Sequence, residues 1–296
     1  MSASRIEPVT QLSGDQAAEV LELVEQVTSR DGVRPVSDRT LLQLRHAEHA
    51  ADTYDLLRSG DRLVGFTSID GTGSAEIAAL DATDIETLVG VLAQHGNGTR
   101  VWAHGDRSIA AAAMRELGLR PQRVLLQMRR PLADELPEPH WPDGVAVRTF
   151  VVGQDEAAWL AVNNAAFADH PEQSGWTIAD IESREQEKWF DPNGFFLAEA
   201  DGNLVGFHWT KVHPARPTAD RSAGAPIGEV YVVGVDPSMQ GKHLGKALTL
   251  VGLHHLRDAG LGEVMLYADE SNVGAVAMYE RLGFTRYDAD TVFAIR

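Results

Sequence analysis

The sequence predicts a mixed α/β protein (α+β elements on a mixed sheet) made of two tandem copies of one unit. Three observations predict it. A proline- and acid-rich stretch splits the chain in half, the order of strands and helices repeats on either side, and a glycine-containing loop stands in only the second copy.

The split falls in "PLADELPEPHWPDG" (Pro131–Gly144), which has no hydrophobic periodicity and reads as a linker. The boundary near His140 gives units 1–140 and 141–296. The second unit restarts with the alternating strand "VAVRTF". Amphipathic helices follow the opening strands, in "QLSGDQAAEVLELVEQVTSRDG" and in "GQDEAAWLAVNNAAFADH". Strand pairs turned at or near Asp-Gly come next, in "LRSGDRLVGFTSID" and "FLAEADGNLVGFHWTKV". Each unit closes with a short helix, an "LG" stop and a strand: "AAAAMRELGLRPQRVLLQMRR" and "GAVAMYERLGFTRYDADTVFAIR". Glycine is the expected stop after a helix, and self-similarity on this scale indicates a repeated domain.

Composition narrows the chemistry. A chain of 296 residues, 44% hydrophobic and 23% charged, suits two globular domains. The net charge of −17 argues against a nucleic-acid surface and suits a cationic substrate such as an amine. With no cysteine there is no disulfide, no thiolate-bound metal and no thiol nucleophile. The N-terminus lacks the apolar core of a signal peptide, and no apolar run reaches membrane-spanning length. The expectation is a cytoplasmic monomer acting on small molecules, without nucleic-acid or membrane partners. His254-His255 suggests a metal only superficially, because adjacent helix residues diverge and no H-E-x-x-H spacing exists. No metal is expected.

The informative stretch is "EVYVVG" (Glu229–Gly234) running into "VDPSMQGKHLGKAL" (Val235–Leu248), a strand, a glycine loop and a helix start. Backbone N–H groups at a helix start are an anion site. A nucleotide P-loop fails, since Gln240 replaces its first glycine and Ala247 its hydroxyl. A dinucleotide G-x-G-x-x-G is absent. In the first unit, "AEIAALDATDIETLVGVL" keeps the strand and helix without the glycine loop. Anion binding is therefore expected in the second unit.

Gln240-Gly241-Lys242-His243-Leu244-Gly245 resembles the Q/R-x-x-G-x-G/A loop of the GNAT superfamily of acyl-CoA-dependent acyltransferases. His243 departs from the pattern, standing where the family has its first glycine, and its imidazole is expected to point outward. "LYADESNVGAVAMYERLGF" (Leu266–Phe284) resembles the family's second acyl-CoA element, with strand, asparagine, short helix, tyrosine and "LGF" in order. The resemblance implies acetyl-CoA as co-substrate. Its pyrophosphate would lie on Gln240, Gly241, Lys242, His243, Leu244, Gly245 and Lys246. Its arm would run along Val233, Gly234 and Val235 and reach Asn272, Val273, Gly274, Ala275, Val276 and Ala277. Transfer to an amine needs oxyanion donors, a base and an acid. Backbone N–H groups of Val233–Val235 are the candidate donors, with Gly234 suited to the bulge that would turn them. Glu229 is the candidate base and Tyr279 the candidate acid for the departing thiolate.

More narrowly, "NNAAFADHPEQSGW" (Asn163–Trp176), "EVYVVGVDPSMQGKHLGKALTLVGLHHL" and the Leu266–Phe284 segment resemble the mycothiol synthase family of tandem GNAT proteins. That resemblance implies acetylation of the cysteinyl amine of cysteinyl-glucosaminyl-inositol. It implies substrate contacts from Asp38, Glu172, Lys211, Glu229 and Tyr267, with Glu172 and Lys211 on loops. Asp38, in "PVSD", is shorter by one methylene than a glutamate at the family's acidic position. The first unit would then be a scaffold that closes the cleft and supplies Asp38, with "AEIAAL" (Ala75–Leu80) the place where a second coenzyme A would lie. Two readings compete: a GNAT enzyme for another amine, and a non-catalytic acyl-CoA-binding regulator. The "HPEQSGW" segment speaks against the first, and the retained Glu229 and Tyr279 against the second.

Overall fold

Local signals set the elements, and the sheet they share decides where the site falls. The computed structural model describes residues 4–46, 52–96, 98–168, 175–215 and 224–295. After β1 (Ser4–Val9), Ser13 starts α1 (Gly14–Asp31): its hydroxyl accepts from the Gln16 backbone N–H, and the Gln16 side chain accepts from the Ser13 N–H at 2.9 Å. This reciprocal capping satisfies two donors the helix cannot. The apolar stripe Val20, Leu23, Val24 and Val27 is then buried, at the spacing of one helix face. The first half continues with α2 (Asp38–His46), β2 (Thr53–Ser59), β3 (Arg62–Ile69), β4 (Ser74–Ala79), α3 (Ala82–Leu92), β5 (Arg100–Ala103), α4 (Ile109–Glu116) and β6 (Arg120–Pro131).

The second half repeats the order. It contains β7 (Val145–Thr149), α5 (Glu156–Ala166), α6 (Ile178–Glu185), β8 (Phe195–Ala200), β9 (Asn203–His213), β10 (Ile227–Val235), α7 (Leu244–Asp258), β11 (Glu263–Asp269), α8 (Val273–Arg281) and β12 (Thr285–Ala294). α4 and α8 both stop at a glycine in the left-handed region, Gly118 (φ 71°) and Gly283 (φ 85°), as the "LG" signals require. Trp159 of α5 packs edge-on against Phe195, Phe207 and Trp209 and holds that helix to β8 and β9.

All of these strands join one twelve-stranded sheet in the order β1-β2-β3-β4-β5-β12-β6-β11-β10-β9-β8-β7. The last strand of each half lies in the other half. β12 pairs antiparallel with β5, and β6 pairs antiparallel with β11, while β6 and β12 pair with each other at the centre. The cores follow the strands. Phe293 and Ile295 are buried with Ile77, Val101 and Met114 of the first half. Leu126 and Met128 are buried with Leu253, Leu266 and Phe284 of the second. Leu132 and Leu136 of the proline-rich linker join that second core, so the linker is packed along part of its length. Each large apolar side chain so buried contributes about 1.5–3 kcal/mol, which ties the halves together. The parallel neighbours, β4 with β5 and β10 with β11, hold equivalent places in the two halves.

Candidate active site

β10 and β11 pair over only three positions, Gly228–Val264, Glu229–Met265 and Val230–Leu266. β10 nevertheless runs on to Val235 against β9, so its edge from Tyr231 to Val235 leaves the ladder with β11 and opens a wedge in the sheet. The irregularity that accompanies the divergence lies between Val230 and Val232. The bulge expected at Gly234 therefore falls three residues earlier, at Tyr231. Gly234 is glycine for a packing reason: a Cβ there would stand 2.6 Å from a ring carbon of Phe207. Val233, Gly234 and Val235 still line the open edge.

At the mouth of the wedge, α7 begins without a side-chain cap. His243 takes the N-cap place in the left-handed region (φ 62°) and makes no side-chain cap bond, no acidic residue stands in the first turn, and among the described residues the first N–H groups have no side-chain partner. Gln240, Gly241, Lys242, His243 and Lys246 are exposed, with Leu244 buried as the helix anchor. The imidazole thus points outward, and the backbone takes the conformation that a glycine would adopt freely. The left-handed region costs a side-chain-bearing residue about 1–2 kcal/mol. Bare N–H groups at the positive end of the helix dipole, with two lysines near, suit an anion.

The equivalent helix start in the first half is closed. The Asp81 carboxylate caps α3 by accepting from the Asp84 N–H at 2.9 Å, and Asp84 sits in the first turn. Burial, and then the Asp81 charge, raise the Asp84 carboxyl above its ordinary range. Negative groups already occupy the place an anion would take. In addition, the Arg30 guanidinium of α1 donates to the Ala79 carbonyl at 3.1 Å and to that of Leu80, at the end of "AEIAAL".

On the far side of the wedge, Asn272 caps α8, its side-chain oxygen accepting from Ala275 N–H at 3.1 Å. Asn272, Val273 and Gly274 are exposed, and Ala275, Val276 and Ala277 half-buried. Tyr279 is buried, its ring edge-on to Phe284 at 5.8 Å, and burial pushes its phenol up to about 12.

A second group of side chains gathers where the halves meet. Glu229 and Lys211 stand opposite each other on β10 and β9, and His213 lies two residues beyond Lys211 on the same face. Lys211 was expected on a loop but lies within β9, 5% exposed; Glu229 lies near the start of β10, 6% exposed. The Lys211 ammonium pairs with the Asp38 carboxylate of α2, from the first half, and lies over the rings of Trp189 (4.4 Å) and Tyr231 (4.8 Å). Arg34 donates to the other Asp38 oxygen at 2.5 Å. Burial works to raise the Asp38 carboxyl, but the Arg34 and Lys211 charges overcome it and hold the group far below the usual carboxylate range. Burial likewise opposes the Lys211 charge, and Asp38 reverses the balance and raises it. Glu229 Oε2 lies 2.6 Å from His213 Nε2. Tyr267, on β11, accepts a hydrogen bond from Gln127 of β6 at 2.6 Å. Burial, then the Asp290 and Glu229 charges, push its phenol well above its ordinary value.

Of the expected substrate contacts, Asp38, Lys211, Glu229 and Tyr267 therefore share one locale; Glu172 lies outside the described residues. Arg34 and His213 were not singled out from the sequence. The alternation "K-V-H" on a strand facing "I-G-E" was the available signal for His213, since it puts a basic pair opposite the carboxylate. His254 and His255 diverge, the first bonding the Pro137 carbonyl at 3.0 Å and the second lying edge-on to Phe196. Among the described residues no group of three or more His, Cys, Asp or Glu is arranged to hold a metal, and no helix is long and apolar enough to cross a membrane.

The chain is similar to known proteins in sequence and in fold. Residues 159–284 match the acetyltransferase (GNAT) family. The mycothiol acetyltransferase of Thermobispora bispora is 50% identical over 292 residues, spanning 96% of this chain and 97% of its own. That of Thermomonospora curvata is 51% identical, spanning 95% of this chain and 94% of its own. Among solved structures, a tandem GNAT protein from the clavulanic acid biosynthesis pathway superposes with a TM-score of 0.64 at 17% identity, covering 98% of each chain, a likeness of fold.

Proposed function

The chain belongs to the mycothiol acetyltransferases of the GNAT superfamily, and on that premise we propose how its residues transfer an acetyl group from acetyl-CoA to the cysteinyl amine of cysteinyl-glucosaminyl-inositol. It is an acetyl-CoA-dependent acyltransferase of mycothiol biosynthesis. The observation that carries the assignment of roles is the contrast between two helix starts: α7 uncapped and flanked by lysines, α3 capped by its own aspartates.

In this reading the chain divides at residues 140 and 141 into a non-catalytic first domain and a catalytic second one. The loop Gln240–Lys246 holds the pyrophosphate. The open edge of β10, Val233–Val235, lies along the acyl arm and offers N–H groups to the thioester oxygen as charge develops there. The exposed start of α8, Asn272–Ala277, borders the same arm. Glu229 takes the proton from the incoming ammonium, whose reference pKa of about 7.7–8.0 asks only for a modest base. Asp38, Glu172, Lys211 and Tyr267 meet the polar groups of the acceptor. Tyr279 serves the departing sulfur. With its phenol at about 12 against about 8.5 for a thiol, complete proton transfer is uphill. Its contribution is then a hydrogen bond to the forming thiolate. Metal chemistry has no part in this scheme, and the protein acts as a cytoplasmic monomer on small molecules.

The test is acetyl transfer by the purified protein, offered cysteinyl-glucosaminyl-inositol beside unrelated amines. Rapid turnover confined to the cysteinyl sugar supports the assignment. Acetyl-CoA binding without turnover on that sugar leaves the fold standing and sinks the substrate.

A further inference from the structure

Each turnover must export a proton from a buried site. The acceptor arrives as an ammonium and leaves as an amide, so its nitrogen gives up two protons. One ends on the coenzyme sulfur, which departs as a thiol. The other has to reach water. Glu229, the proposed first acceptor, is 6% exposed and cannot hand it over directly. Lys211 is already protonated and committed to Asp38, and the Tyr267 phenol already holds its proton. His213 differs from both. Its Nε2 lies 2.6 Å from Glu229 Oε2, and 19% of its side chain is exposed at the end of β9. Among the described residues it touches the carboxylate and also reaches solvent.

We propose that His213 is the proton exit of this enzyme, relaying from the Glu229 carboxyl to water. The inference rests on the reading of Glu229 as base and deepens it. An N–H bond of the ammonium breaks as an O–H bond forms on Glu229. That O–H breaks as an N–H forms on His213 Nε2, and the proton on Nδ1 passes to water. The freed amine pair then forms the C–N bond, the C–S bond breaks with its electron pair leaving on sulfur, and the second N–H bond breaks as its proton joins that sulfur to give the thiol. Among the described residues, the charged and titratable groups around the pair are Lys211 on β9, Tyr267 on β11, and Asp38 of α2 with Arg34 behind it. Glu229 stays in place, while His213, left with its proton on Nε2, regains the Nδ1–H form by a half-turn of the ring or by proton exchange with water before the next turnover.

The experiment compares wild type, His213→Gln and Glu229→Gln by coenzyme A release across pH 6–9, in weak buffer and with rising imidazole. Acetyl-CoA binding checks that each variant is folded. His213→Gln is expected to lose about tenfold or more in kcat in weak buffer, to keep the wild-type KM for acetyl-CoA, and to regain rate with imidazole, which wild type ignores. Two results overturn the relay: wild-type kcat for His213→Gln at every pH, or a loss that imidazole leaves untouched, which makes His213 a structural partner only. Wild-type turnover by Glu229→Gln is a different failure, because it removes the base itself.

Discussion

Replacing Asp38 with asparagine keeps the shape of the side chain and removes the charge shared by Lys211 and Arg34. Lys211 then becomes a buried ammonium, 5% exposed, among the rings of Trp189 and Tyr231. Removing one partner of a buried pair costs about 3–5 kcal/mol. Asp38 keeps 23% of its side chain exposed, so water relieves part of that, and the lower end, about 3 kcal/mol, applies. At roughly 2 °C per kcal/mol for a chain of this size, Tm should fall by about 6 °C. Thermal melts of Asp38→Asn, Lys211→Met and the double variant isolate the pair, with a coupling of about 2–3 kcal/mol expected. The pH dependence has a definite sign. The depressed Asp38 carboxyl contributes fully above its unfolded value near 4, a contribution lost as pH falls through the folded value. The raised Lys211 contributes fully below its unfolded value near 10, a contribution lost as pH rises through the folded one. The difference in Tm should therefore stay flat from about pH 5 to pH 9. Additive losses in the cycle would refute the reasoning, as would a difference that changes across neutral pH.

Three further outcomes are expected. Tyr279→Phe should lower kcat by about tenfold or more while the acetyl-CoA KM stays within about twofold; undiminished coenzyme A release would remove it from the chemistry. His243→Gly should raise stability by up to about 1 kcal/mol by relieving the left-handed side chain, with acetyl-CoA affinity kept or improved; a lower Tm would mean that the imidazole has a bonding role. Gly234→Ala should cost about 1–3 kcal/mol through its contact with Phe207 and should slow turnover by shifting the β10 edge; a variant with wild-type Tm and kcat would deny that packing sets this edge.

What the sequence made legible is what short stretches decide. The glycine stops and the strand–loop–helix order are local, and the structure has them at Gly118, Gly283 and Gln240–Gly245. The site residues read from motifs, Asp38, Lys211, Glu229 and Tyr267, do meet. Their environments were not legible. Whether a lysine in "HWTKVHP" lies in water or under a carboxylate depends on a residue 173 positions away. The position of the bulge was missed for a similar reason: a glycine in a strand signals either a bulge or a close neighbour, and only the Phe207 ring, on another strand, selects the second.

The exchange of β6 and β12 was the least legible feature, because each strand can pair equally well, by pattern alone, with its own half. It is also the feature that makes the first half indispensable. A fragment of residues 141–296 would carry the uncapped α7, Glu229 and Tyr279, and so every element of the acyl-CoA motif. It would lack β6, and with it Leu126 and Met128 of the second core and the Gln127 bond to Tyr267. It would lack Asp38, leaving Lys211 unpaired. β11 would gain an open edge unless β12, deprived of both β5 and β6, folded back to cover it. The fragment is therefore expected to be unfolded or aggregated by circular dichroism and sedimentation, and inactive when mixed with separately purified 1–140. A folded, monomeric fragment with the full chain's kcat would show that the catalytic half completes its own sheet, and would reduce the first half to a passive neighbour.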